Sequence, residues 1–360
     1  DWSSDVCSSD LESDSIRIKA GIIYILSEAV RNGHVFVPEG DLVRECSYVL
    51  QYELAYSDPL LHNLESEGEI VIDGSNVYLH DYYYAEREIE NSITRILNFK
   101  SDNDNSKLAF NLLKENYSDE QLDAIRLSFE NNFLIITGGP GTGKTTPLKG
   151  IIELHKFYEK GILLAAPTGR AAKRMTEVIG LEAKTIHILL VYNPAENSLN
   201  YNSDTLLETD LIIVDEVSMI DTILMYHLIT AISENTTVIL VGDVDQLPSR
   251  GAGNVLKDLI ASKKIPLVEL SAIFRQAKHS DIILNAHRIN KGNMPALNYV
   301  KNSDFIFIEE VENNKVPEKI LRLCKEDLPN NFVLDSINDI QVLSPIYKTD
   351  VGVKNLNKVM

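Results

Sequence analysis

Cysteine is scarce in this chain. The three that occur, Cys7, Cys46 and Cys324, lie too far apart for a disulfide framework or for zinc-ligand spacing. A reducing, cytoplasmic setting is the expectation that follows. The eight histidines form no H-x-x-x-H type pairing with cysteines. No apolar run approaches the roughly 18 residues that a membrane span needs, and no secretory signal is visible. Basic charge is short as well: 34 Lys and Arg face 53 Asp and Glu, for a net charge of −19. That balance argues against a broad basic coat for duplex DNA. It leaves room for a narrow groove in which local cations and stacking hold a single strand.

What is present is apolar content of 44% over 360 residues, enough for sizeable cores and for two or three domains. Residues 138–146 read Gly-Gly-Pro-Gly-Thr-Gly-Lys-Thr-Thr and follow the apolar run Phe133-Leu134-Ile135-Ile136-Thr137. This is a phosphate-loop pattern placed directly after a predicted strand. Gly138, Gly141 and Gly143 let the backbone bend until successive N–H groups face one point. The helix that follows aims its positive end at the same point. Gly139, Pro140, Gly141, Thr142, Gly143, Lys144, Thr145 and Thr146 are therefore the candidate phosphate-binding residues. Lys144 reaches the β- and γ-phosphates, and the Thr145 hydroxyl is placed to ligate Mg²⁺.

Two more strands end in polar residues. Leu211-Ile212-Ile213-Val214 is fully apolar, as a strand buried on both faces should be, and it runs into Asp215-Glu216. Asp215 is a candidate Mg²⁺ ligand through water, and Glu216 a candidate base for the attacking water. Val238-Ile239-Leu240-Val241 runs into Gly242-Asp243-Val244-Asp245-Gln246. Gln246 then falls at the same sheet edge, able to donate to a γ-phosphate oxygen and accept from water. The alternative for each is a polar turn ending a strand. Three recurrences at one edge favour a nucleoside triphosphate site with Mg²⁺.

At this point residues 118–360 resemble the motor of RecD-like DNA helicases of superfamily 1. The stretches that carry the likeness are 135–146, Ala166-Pro167-Thr168-Gly169-Arg170-Ala171-Ala172-Lys173-Arg174-Met175, Ile213–Met219, Val241–Ser249 and Ile273-Phe274-Arg275-Gln276-Ala277. The resemblance implies ATP-driven movement on single-stranded DNA, or on duplex with a single-stranded tail, in the 5′→3′ sense and in recombination or repair. It implies that Gln121, in Ser118-Asp119-Glu120-Gln121, reads adenine; the same residues also fit a helix capping box. It implies DNA contacts from Pro167, Thr168, Arg170, Lys173 and Arg174, whose alternative is a solvated helix start. It gives Arg275 the part of an arginine that reaches the γ-phosphate from a second motor domain. Pro147, inside the following helix, and Arg250, where a small apolar residue is expected, depart from the pattern. The family's later motifs have no counterpart before Met360, so a fragment of a longer helicase with weak activity of its own is the expectation. A P-loop switch or a nucleotide- and DNA-binding protein without unwinding activity stays open as the alternative. Protein partners are not indicated, and no membrane association is expected.

The expected architecture is α/β: a parallel, RecA-like P-loop domain over 107–265 and a partial second one over 266–360. Before them come a leader-like stretch at 1–11, a helical, winged-helix-like domain over 12–99 and a polar linker at 100–106. Glu69 to Leu79 reads as a hairpin around Asp-Gly-Ser-Asn. Phe305–Ile308 and Ile340–Ser344 read as strands, with a helix through Ile320 to Cys324. No internal repeat is seen.

Overall fold

Alternation of buried side chains explains the main sheet. In the computed structural model, which describes residues 15–56, 58–99, 117–193, 198–272, 279–297 and 303–360, six parallel strands form one sheet. Their order is β11-β4-β10-β9-β5-β6. The ranges are β4 Phe133–Gly138, β5 Ile162–Ala166, β6 Ala183–Thr185, β9 Leu211–Val214, β10 Thr237–Gly242 and β11 Leu267–Leu270. Odd and even positions part to opposite faces. Phe133, Ile135, Ile212, Val214, Val238 and Leu240 build one core, and Leu134, Ile136, Leu211, Ile213, Ile239 and Val241 the other. Each fully buried side chain of this size contributes roughly 1.5–3 kcal/mol, which is why the apolar runs settle in the centre. The short pair β7 Tyr192–Asn193 and β8 Ser198–Leu199 forms a separate two-stranded sheet.

The N-terminal layer runs α1 Ser15–Arg31, β1 Phe36–Pro38, α2 Glu39–Leu50, α3 Pro59–Ser66, β2 Ile70–Asp73, β3 Asn76–Leu79 and α4 His80–Asn98. Its antiparallel sheet has the order β1-β3-β2. Asp73 pairs with Asn76 across a two-residue turn in which Gly74 has φ +62°, a conformation glycine adopts without strain. Ile18, Ile22, Leu26, Leu42, Leu61, Ile70 and Val77 make its core. The last helix, α4, does not join that core. Ile89, Ile93 and Ile96 bury themselves with the residues of the large sheet and with Met225, Leu228 and Ile229. Sequence pattern assigns α4 to the N-terminal domain, but its apolar stripe packs with the residues of the large sheet.

Among the described residues, the longer remaining helices of this unit are α5 Asp119–Glu130, α6 Thr145–Phe157, α7 Gly169–Ile179, α8 Thr222–Thr230 and α9 Val255–Ser262. Two expectations are corrected here. Leu267–Leu270, assigned from the sequence to a second domain starting at 266, pairs in parallel with Ile135–Gly138 and completes the first sheet. The chain divides near His279 instead. In the second unit, residues 305–308 and 340–344 have no regular secondary structure, and no strand occurs among the described residues of 280–360. A strand exists only through a ladder to a neighbouring strand, and among the described residues neither run joins one. That unit contains α10 Asp281–Asn290 apart from its last residue, α11 Val316–Arg322, which encloses part of the expected 320–324 helix, and α12 Val353–Val359. Residues 1–11 and 100–106 lie outside the described residues.

Candidate nucleotide site

Parallel pairing brings the carboxyl ends of four strands together. Thr137 is level with Gly242, Leu240 with Val214, and Val214 with Ala165. The loops after β4, β10, β9 and β5 therefore leave side by side, at the edge where α/β sheets collect ligands.

The loop after β4 carries the glycine pattern. Gly141 and Gly143 have φ of +77° and +71°, in the left-handed region that side chains resist. Gly138 is required for space: a Cβ there would meet the Thr142 hydroxyl at 2.6 Å and the Leu270 carbonyl at 2.8 Å. The Thr142 hydroxyl donates to the Gly139 carbonyl at 2.8 Å and braces the turn. The Lys144 ammonium donates to the Gly138 and Gly139 carbonyls, so it lies across the loop mouth. No side chain caps the N-terminus of α6, and this leaves its positive end facing the loop. Pro147 is buried as the third residue of α6. The first turn needs no N–H there, so the helix accommodates it.

Beyond β9, the Asp215 N–H donates to the Ala165 carbonyl at 3.0 Å, and the Asp215 carboxylate accepts the Glu216 N–H at 2.8 Å. Glu216 has φ 54° and ψ 41°. Burial pushes the Asp215 carboxyl up, against the pull of the Glu216 N–H, Lys144 and Arg174. Burial and the neighbouring Asp215 push Glu216 up in the same way, opposed by Lys144 and Arg174. Asp243, after β10, is buried to 3% exposure and adds to the pressure on Glu216. Its carboxylate accepts the Asp245 N–H at 3.0 Å and shapes the turn that carries Gln246. Asp243 was not singled out from sequence. The signal available was a carboxylate directly after a fully apolar strand, the same one that pointed to Asp215. Gln246 is exposed on this turn, its N–H donating to the Asp243 carbonyl at 3.2 Å.

Gln121 realises the capping box. Its N–H donates to the Ser118 hydroxyl, and its side-chain oxygen accepts the Ser118 N–H at 3.2 Å. The side chain is buried, yet its Nε2 has no partner. Among the described residues the other buried side-chain polar atoms without partners are Thr137 Oγ1, just before the loop, and Ser218 Oγ, two residues past Glu216. Buried polar atoms are rarely left unsatisfied. A free amide donor, an ammonium, a helix N-terminus and a carboxylate pair at one edge fit a purine nucleoside triphosphate. They fit Mg²⁺ held by one or two protein oxygens besides phosphate and water, since no cluster of three metal-ligating side chains occurs among the described residues.

The candidate DNA residues follow β5. Pro167 is half-buried, and the Thr168 hydroxyl accepts the Ala171 N–H at 3.3 Å, capping α7. Lys173 lies 4.0 Å from Glu177, both well exposed. Arg174 faces differently in electrostatic terms: it acts on Asp215 and Glu216. Arg250 is exposed. Arg275 lies outside the described residues.

This arrangement is a parallel α/β domain with a P-loop, of RecA-like fold. A family described as an AAA domain matches residues 121–252. The ATP-dependent RecD2 DNA helicase of Deinococcus radiodurans is 34% identical over 244 residues, covering 68% of this chain and 32% of that protein. The RecBCD enzyme subunit RecD of Buchnera aphidicola is 26% identical over 389 residues, covering 91% of this chain and 64% of its own length. The chain is similar in sequence to these RecD proteins and spans about one third to two thirds of their length. A crystal structure of the Pif1 helicase from Candida albicans superposes with a TM-score of 0.40 at 24% identity, over 50% of this chain and 45% of that one. Among the described residues, no helix is long and apolar enough to cross a membrane.

Proposed function

We propose that this chain is the ATPase part of an ATP-dependent DNA helicase that couples MgATP hydrolysis to movement along single-stranded DNA, 5′→3′, in recombination or repair. The observation that carries the reading is the convergence of Lys144, Asp215, Glu216 and the Gln246 turn at one sheet edge, beside the loop that begins α7. Lys144 and the N–H groups of Gly143 to Thr146 hold the phosphates. Thr145 and Asp215 hold Mg²⁺, which when bound offsets charge on the phosphate oxygens. Glu216, its carboxyl pushed up by burial and by Asp215, accepts the proton of the attacking water. The water oxygen bonds to the γ-phosphorus as the bridging P–O bond breaks, which yields ADP and phosphate. Gln246 orients that water and reports the γ-phosphate to the chain beyond β10. Arg275 adds positive charge in the transition state.

Pro167, Thr168, Arg170 and Lys173 form the single-strand contact. The N-terminal layer has the helix–strand–helix–helix–strand–strand order of a winged helix, but α3 carries Glu65 and no lysine or arginine. That supports a packing role beside the motor rather than duplex reading. The test is ATPase activity with single-stranded against duplex DNA, alongside strand separation of a tailed duplex. Stimulation by single strands together with unwinding supports the helicase. ATPase activity indifferent to DNA, with no unwinding, leaves the P-loop switch.

A further inference from the structure

Glu120, on the first turn of α5, makes three contacts with residues about 150 positions away. One carboxylate oxygen accepts the Ser271 N–H at 2.9 Å and the Ala272 N–H at 3.2 Å; the other accepts the Ser271 hydroxyl at 2.5 Å. A carboxylate is the side chain suited to this, because it offers acceptors only and can serve several donors at once. The Ser271 hydroxyl, and then the two N–H groups, hold the Glu120 carboxyl below its ordinary range.

What the clamp joins gives it meaning. On one side is Gln121, the next residue, with its unpartnered buried Nε2. On the other side is the end of β11. Leu270, immediately before Ser271, is level with Gly138, and its carbonyl lies where a Gly138 Cβ would meet it at 2.8 Å. Gly138 opens the phosphate loop. β11 is an edge strand, held in the sheet by β4 alone. Among the described residues it has a strand on one side only, so contacts such as this clamp bear on where its end lies.

We propose that Glu120 is a positioning residue that sets nucleobase discrimination: by fastening Ser271 and Ala272 to the start of α5, it fixes the spacing between the Gln121 amide and the phosphate loop. The proposal rests on the nucleotide reading above and deepens it. A base contact through one amide tolerates little displacement, since a hydrogen bond weakens steeply outside about 2.7–3.2 Å. The phosphates are held by many loop donors and tolerate more. Loss of the clamp therefore costs the base contact and spares the phosphate contacts.

The experiment measures affinities of the intact chain for MgATP, MgGTP and Mg-tripolyphosphate. The variants are Glu120→Ala, Glu120→Gln and Ser271→Ala. Glu120→Ala is expected to bind MgATP about tenfold more weakly, the value of one lost hydrogen bond, with the ATP-over-GTP preference reduced and tripolyphosphate affinity unchanged. Ser271→Ala, which removes one of three contacts, and Glu120→Gln, which keeps an acceptor, shift the preference the same way and less. An unchanged ATP-over-GTP ratio in Glu120→Ala and Ser271→Ala overturns the proposal. So does a parallel fall in tripolyphosphate binding, which marks damage to the loop itself. A parent chain that binds neither ATP nor tripolyphosphate overturns the nucleotide reading, and the clamp with it.

Discussion

The Asp215 carboxylate holds the backbone N–H of the very next residue, Glu216, at 2.8 Å, and Glu216 sits in the left-handed region with φ 54°. A non-glycine residue there costs about 1 kcal/mol or more, and such strain collects at functional sites. Two carboxyls already raised by burial add to the cost. Glu216→Gly should therefore stabilise the fold by about 1 kcal/mol in urea unfolding while it abolishes hydrolysis. Glu216→Gln should lower kcat by about 10²–10⁴ and leave MgATP affinity intact. A destabilised glycine variant would show that the left-handed turn is not strained.

Lys144 bridges the mouth of the phosphate loop through the Gly138 and Gly139 carbonyls. Bound phosphate exchanges these for charge-assisted bonds, each worth roughly 1.5–3 kcal/mol. Lys144→Ala should weaken MgATP by at least about 100-fold in calorimetry. Unchanged affinity would remove the phosphate-loop reading.

The cations of α7 should separate into two functions. Arg170→Ala and Lys173→Ala are expected to weaken single-stranded DNA binding without sequence preference and to lower the salt slope by roughly 0.7 each. Arg174→Ala is expected to leave that slope alone and to slow hydrolysis, because Arg174 favours the ionised Asp215 and Glu216. Salt titration of a labelled oligonucleotide, with steady-state ATPase on the same variants, distinguishes the two. A slope change for Arg174 alone would reverse the assignment.

Where α4 meets α9, burial and then the Asp258 carboxylate push the Glu86 carboxyl up to about 6 from an ordinary 4.5. Glu90 and Lys264, 3.6 Å apart, line the same cleft. A folded-state value above the unfolded one means the folded protein holds this proton more tightly. This contribution to stability is therefore full below about pH 4.5 and is lost as pH rises through about 6. Glu86→Gln should stabilise the protein at about pH 8 by roughly 1 kcal/mol, after allowing for solvent screening of a partly exposed group, and should be near neutral at about pH 4. Equal effects at both pH values would rule out this titration.

Much of the candidate site's local geometry was legible along the chain because its chemistry is local. Phe133 to Thr146 contain strand, glycine turn, lysine and helix start in one stretch, and strand-then-carboxylate at Val214-Asp215 needs no distant partner to be read. The capping box of Ser118 and Gln121 spans three residues and was equally visible. The hairpin at Asp73–Asn76 followed from its turn residues.

Other features depended on what the chain meets far away. Apolar periodicity marks Ile89, Ile93 and Ile96 as a buried stripe, but only packing decides that they cover the motor and not the N-terminal core. Leu267–Leu270 reads as a strand with no address until it pairs with Ile135–Gly138. Runs at 305–308 and 340–344 have strand composition but join no ladder among the described residues, because propensity alone does not set pairing. Arg174 sits among cations in sequence, yet the fold turns its charge on the carboxylates of another strand. Sequence by itself determined the elements whose hydrogen bonds and glycine conformations lie within a few residues. Tertiary structure alone decided the groupings across the sheet, Glu120 with Ser271 above all, because a contact between positions 151 apart leaves no periodicity to read.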